Sequence, residues 1–155
     1  MDVNEFNEAG WAYVAGLFDG EGYIRCSFKK HHKGRKRGME FWITVTNTYR
    51  SILEYLRMSF GGSIYESPSK SSKHKMSCFW KLTSRNAFVV LSQIAPYLKI
   101  KREPANHVLR NKALMTKKGP RSESERKALT DLTNKMSAFT RRGVSNSIAE
   151  LNSVS

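Results

Sequence analysis

Two carboxylates stand two residues apart in Asp19-Gly20-Glu21-Gly22, with glycine after each. Immediately upstream, Trp11, Val14, Ala15 and Phe18 recur at the three-and-four spacing of an amphipathic helix. The acids therefore fall at a helix C-terminus, where the macrodipole disfavours negative charge. Acid placed there points to a cation as its partner. A hard divalent ion such as Mg²⁺ takes several oxygen ligands, and a single carboxylate holds it poorly. Ala12, Gly16 and Gly20 sit four apart and form a second stripe on which another backbone can approach closely. Two chains pairing through that stripe would bring two copies of Glu21 together at a dyad. The Gly20 carbonyl and substrate phosphate oxygens would complete the metal's shell, and activated water would hydrolyse one phosphodiester on each strand. Glu21 is thus the candidate catalytic acid and metal ligand. Asp19, with the stripe at the dimer interface, either caps the partner helix or holds the turn.

The elements that must position these acids follow in order. Residues 23–29 alternate, with Ile24, Cys26 and Phe28 on one face and Tyr23, Arg25, Ser27 and Lys29 on the other. Residues 40–46 alternate again, Phe41, Ile43 and Val45 inward and Trp42, Thr44 and Thr46 outward. A helix is predicted over 49–60, stopped by Gly61-Gly62. The pattern then repeats as a strand over 63–67, a strand over 77–83 and a helix over 85–94. Both pieces contain Phe-Trp, at Phe41-Trp42 and Phe79-Trp80, a weak sign of duplication. Helices are also predicted over 103–116 and 124–139, joined by the linker 117–122. The simplest assembly is α+β: a four-stranded antiparallel sheet with helices on one face. Residues 1–116 would form its core and 117–155 a C-terminal helical extension and tail of the same domain.

Composition narrows the partner. The chain has 155 residues and a net charge of +14, and five of its thirteen acids lie in the first 21 residues. Such an excess favours a polyanion. The loops between paired strands add Lys29, Lys30, Lys33, Arg35, Lys36 and Arg37 in the first and Lys73 and Lys75 in the second. Tyr23, Arg25, Ser27, Trp42, Thr44 and Thr46, with Lys81 from the fourth strand, form a face too polar for a core. Strands fit the major groove, where Arg and Lys read guanine and Thr contacts thymine methyls, while the basic loops would follow phosphates. No apolar run approaches the roughly 18 residues of a spanning helix. Cys26 and Cys78 lie in apolar strand patterns and read as buried thiols, so a reduced, intracellular setting is expected. His31, His32, His74 and His107 lack zinc spacing, and no phosphate-binding Gly-Lys-Ser/Thr loop occurs.

Val14-Ala15-Gly16-Leu17-Phe18-Asp19-Gly20-Glu21-Gly22 resembles the eponymous motif of the LAGLIDADG homing endonucleases, with Val14 for the first Leu and Glu21 for the second acid. The order of elements over 11–109 is similar to that family's αββαββα fold. Pro96-Tyr97-Leu98-Lys99-Ile100-Lys101 resembles its lysine-bearing segment. The resemblance implies catalytic roles for Lys101, steadying leaving-group charge or organising water, and for Asn47, positioning water, with Arg50 as a further basic contributor. A single motif implies a homodimer and a long, near-palindromic double-stranded DNA site. Mg²⁺-dependent cleavage with short 3′ overhangs and an intron-encoded gene are implied as well. Glu21 in place of Asp lengthens the reach to metal by one methylene.

Two other readings share these features. One is an intron maturase that binds RNA without cutting DNA; the other is a non-cleaving DNA-binding regulator. A metal-competent Glu21 beside Lys101 favours cleavage. The compartment follows the genome that carries the target.

Overall fold

Residues 6–28, 38–67 and 76–141 are described by the computed structural model. Helix α1 (Glu8–Glu21) starts at Asn7, whose side chain accepts the Gly10 amide at 2.9 Å. It buries Trp11, Val14, Ala15 and Phe18. The helix passes into β1 (Gly22–Phe28) without a loop. Only glycine permits this junction: a Cβ at Gly22 would lie 2.4 Å from the Phe18 ring and 2.5 Å from its carbonyl oxygen.

The remaining elements are β2 (Met39–Asn47), α2 (Arg50–Phe60), β3 (Ser63–Ser67), β4 (Ser77–Thr83) and α3 (Ser84–Ile94), then a 3₁₀ turn (Ala95–Tyr97). Helices α4 (Arg102–Arg110), α5 (Lys112–Thr116) and α6 (Glu123–Arg141) follow. The strands form one antiparallel sheet in the order β1-β2-β4-β3. Its apolar face packs on the helices through Ile43, Val45, Trp80, Leu53, Leu91 and Ile94, among other buried residues. The Trp80 indole, buried in that layer, donates to the Gly61 carbonyl at 2.7 Å, so its polar atom is satisfied. Helix α6 adds Leu129, Leu132 and Met136 to the same core.

The α+β architecture expected from alternation is the one observed. Two details differ. The helix predicted over 103–116 breaks at Asn111, whose side-chain amide donates to the His107 carbonyl at 2.8 Å. That bond competes with the backbone ladder, and the Asn111 amide turns to Val108 instead. The shared Phe-Trp pair is not a structural repeat. Phe41 is buried and Trp42 faces outward, whereas Trp80 is buried and Phe79 lies on the outer face.

Cys26 and Cys78 are both buried and unbridged, as their strand positions predict. Burial pushes the Cys26 thiol up to about 11, opposed by a hydrogen bond from Thr133. Among the described residues no helix is long and apolar enough to cross a membrane.

Candidate active site and nucleic-acid face

The end of α1 sends its two acids to different places. The Asp19 carboxylate turns into its own chain and accepts the backbone amides of Lys99 at 2.7 Å, Ile100 at 3.2 Å and Lys101 at 2.9 Å. These amides precede the first turn of α4, where orphan N–H groups and the positive end of the helix dipole favour an anion. Of the two roles open to Asp19, the geometry supplies the intrachain one. The Lys101 ammonium in turn donates to the Asp19 carbonyl oxygen. A reciprocal clasp therefore ties α1 to the turn before α4.

Glu21 stays exposed one turn-step beyond that clasp. Lys101 is half-buried beside it. Burial pulls the Lys101 ammonium below its usual pKa, and the nearby charges of Asp19 and Glu21 partly oppose the shift. An acid and an amine thus share one edge of the sheet, brought together from positions 80 residues apart.

Ala12, Gly16 and Gly20 are exposed along α1, on the side away from its buried stripe. A Cβ added at Gly16 or Gly20 would meet nothing within 4 Å in this chain. The fold therefore does not need glycine at either place. Among the described residues no three His, Cys, Asp or Glu side chains cluster to hold a metal, around Glu21 or elsewhere. An exposed carboxylate with an open glycine beside it fits a hard divalent cation as a partial donor set, completed by ligands from outside this chain.

Asn47 ends β2 close to the start of β1, since Gly22 pairs with Val45 two residues before it. Its side-chain oxygen accepts the Tyr49 amide at 2.9 Å, a local turn that fixes its rotamer. Arg50 is engaged differently. Its guanidinium bridges Glu54 at 3.3 Å and Glu66 at 2.9 Å, so its charge is already balanced within α2 and β3.

The outer sheet face carries the side chains expected on it. Tyr23, Thr44, Lys81 and Ser63 lie in register across all four strands, and Arg25, Trp42 and Thr83 form the next row. The Lys81 ammonium sits 4.5 Å from the Trp42 ring centroid, a cation–π contact that holds both side chains above the sheet. Ser27 and Thr46 share this face by alternation. The face also holds Phe79 and Tyr65, stacked with centroids 5.2 Å apart, which charge-based reasoning passes over. Parity along 77–83 is the signal for Phe79, because it shares a face with Lys81. Lys29, Lys30, Lys33, Arg35, Lys36, Arg37, Lys73 and Lys75 lie outside the described residues.

A family model for LAGLIDADG endonuclease matches residues 14–100, more than half of the chain. Among solved structures, the chain is similar to the homing endonuclease I-CvuI in complex with the I-CreI target, with a TM-score of 0.64 and 20% identity over 85% of this chain and 82% of that one. It is also similar to the archaeal intron-encoded homing endonuclease I-Vdi141I complexed with DNA, with a TM-score of 0.60 and 18% identity over 88% and 87% of the two chains. I-SmaMI bound to uncleaved DNA in the presence of calcium ions gives 0.64 and 20%, over 92% of this chain but 48% of that longer one. These likenesses establish the fold. No curated protein sequence matches the chain.

Proposed function

The chain belongs to the LAGLIDADG endonuclease family, and from that premise we propose that it is a homodimeric, site-specific DNA endonuclease making metal-dependent double-strand breaks. The observation that carries this reading is the end of α1. An exposed Glu21 stands beside a half-buried Lys101, at the edge of a cationic sheet face and on a helix whose small-residue side is open.

Each part has a task. The face bearing Tyr23, Arg25, Thr44 and Lys81 lies in the major groove and sets register on the duplex. The Ala12–Gly16–Gly20 side of α1 packs on its copy, so that each protomer presents one Glu21 to one strand. Glu21 and the Gly20 carbonyl would hold the divalent cation, Mg²⁺ in the leading case. When bound, the cation supplies charge neutralisation at the scissile phosphate and lowers the barrier to attack by water. Lys101 places a positive charge where the leaving oxygen becomes an anion, held in direction by the Asp19 carbonyl. Asn47, with its side-chain oxygen committed to the Tyr49 amide, would use its amide hydrogens to orient water. A twofold protein implies a near-palindromic site. Short 3′ overhangs and an intron-encoded gene complete the proposal.

Incubating the protein with a randomised duplex library and Mg²⁺ tests it. Wild-type protein is expected to cut both strands at one near-palindromic site. Glu21→Gln is expected to bind that site and leave it intact. Binding of structured RNA without cleavage of any duplex would overturn the reading in favour of a maturase. Specific duplex binding with no wild-type cleavage would overturn it in favour of a regulator.

A further inference from the structure

One row of the outer sheet face is neither charged nor used by the cleavage chemistry. Thr46 pairs with Phe79 across β2 and β4, and Phe79 pairs with Tyr65 across β4 and β3. The two rings stack with centroids 5.2 Å apart and 21° between their planes, and Tyr65 is 48% exposed. Their neighbours Cys78 and Trp80 are buried, so Phe79 points away from the helical layer. Gly22 pairs with Val45, which brings the preceding residue, Glu21, level with Thr46. The apolar row therefore starts beside the carboxylate and runs outward over three strands. The two cationic rows, with Lys81 in one and Arg25 in the other, lie on its far side from Asn47.

A stacked cross-strand pair steadies an edge strand, which accounts for the contact between the rings. It does not account for their place on the one sheet face that carries Arg25 and Lys81 among hydroxyl side chains. In a duplex major groove, thymine alone presents an apolar group, the C5 methyl, among donors and acceptors. The cations of the two rows on one side of it would keep a polyanion on this face, and the rings would meet base edges there.

Resting on the reading of this face as the DNA-contacting one, we propose that the Thr46–Phe79–Tyr65 row is a specificity determinant that selects thymine by packing against its C5 methyl. Cytosine at the same step would bring an amine donor against the rings and leave it unpartnered, which is costly once water is excluded. Arg25 and Lys81 carry the donors suited to guanine. The half-site would then combine thymine steps read by the rings with G·C steps read by the neighbouring rows.

The test uses the duplex recovered by selecting wild-type protein on a randomised DNA library. Each thymine in it is replaced singly by deoxyuridine, which removes one methyl and keeps the base pair. Uracil at the steps read by this row is expected to weaken binding about fourfold each, the transfer worth of one buried carbon. In Phe79→Ser or Tyr65→Ser the same replacement is expected to cost nothing at the step the lost ring reads. Tyr65 lies on the edge strand, so its variant supplies the result should Phe79→Ser fail to fold. The inference is overturned if no uracil position weakens binding beyond about twofold, if the selected site lacks thymine, or if the loss persists unchanged in the variants. A protein that binds no duplex in the library would overturn the DNA-binding reading itself, and this inference with it.

Discussion

Asp19 and Glu21 share a helix end and differ in what they face. Three backbone amides converge on Asp19, so Asp19→Ala removes the acceptor that ties α1 to the turn before α4. We expect a loss of about 2 kcal/mol in a urea titration, with a smaller loss for Asp19→Asn, which keeps an acceptor oxygen. Lys101 carries the pH prediction. Its ammonium, lowered by burial, gives up its proton earlier than a free lysine on an alkaline titration. A cleavage step that uses the charged form must lose rate as pH rises through that lowered value, and Lys101→Met should lower the rate about a hundredfold and remove this alkaline limb. Linkage has the opposite sign. In that pH window the unfolded lysine holds more protons than the native one, so the fold gains stability as pH rises. The acid motif marks Glu21 in the sequence, and Lys101 is marked there only through the family resemblance of Pro96-Tyr97-Leu98-Lys99-Ile100-Lys101. The clasp between Asp19 and the 99–101 turn is not legible there, because composition and spacing carry no information about which loop meets which helix end.

Strands and helices are where the sequence speaks most clearly, and the reason is burial on one side. Phe41, Ile43 and Val45 alternate with Trp42, Thr44 and Thr46 because the sheet has helices on a single face. The same rule, applied to 77–83, turns the second Phe-Trp pair over relative to the first. Residue identity suggests a repeat there, and parity contradicts it. Asn111 shows the other limit: a single side chain bonding the His107 carbonyl splits an otherwise periodic segment. On α1, the open glycines allow a prediction with two signs. Gly16→Leu should leave the isolated chain as stable or about 1 kcal/mol more stable, since nothing meets its Cβ and leucine favours helix. The same side chain should block close approach of a second α1. Thermal unfolding and sedimentation together check this: a folded, monomeric variant is expected, and a dimer as tight as wild type would place the interface elsewhere.

For the molecule as a whole, net charge and a single acidic motif point the same way before any coordinates are considered. A net charge of +14 favours a polyanionic partner, and the single motif supplies one half of the proposed paired site. The structure supplies one acid, one amine and an open helix side in each chain, and the proposed reaction needs two such ends. That requirement is measurable by mixing. Wild-type and Glu21→Gln chains, exchanged together and assayed on a plasmid carrying the selected site, should pair at random. If each double-strand break takes one Glu21 from each of two chains, an equal mixture should retain about one quarter of the linear product of wild type at the same total concentration. Retention of about one half to three quarters would mean that one chain completes both cuts, and would contradict the paired-acid site.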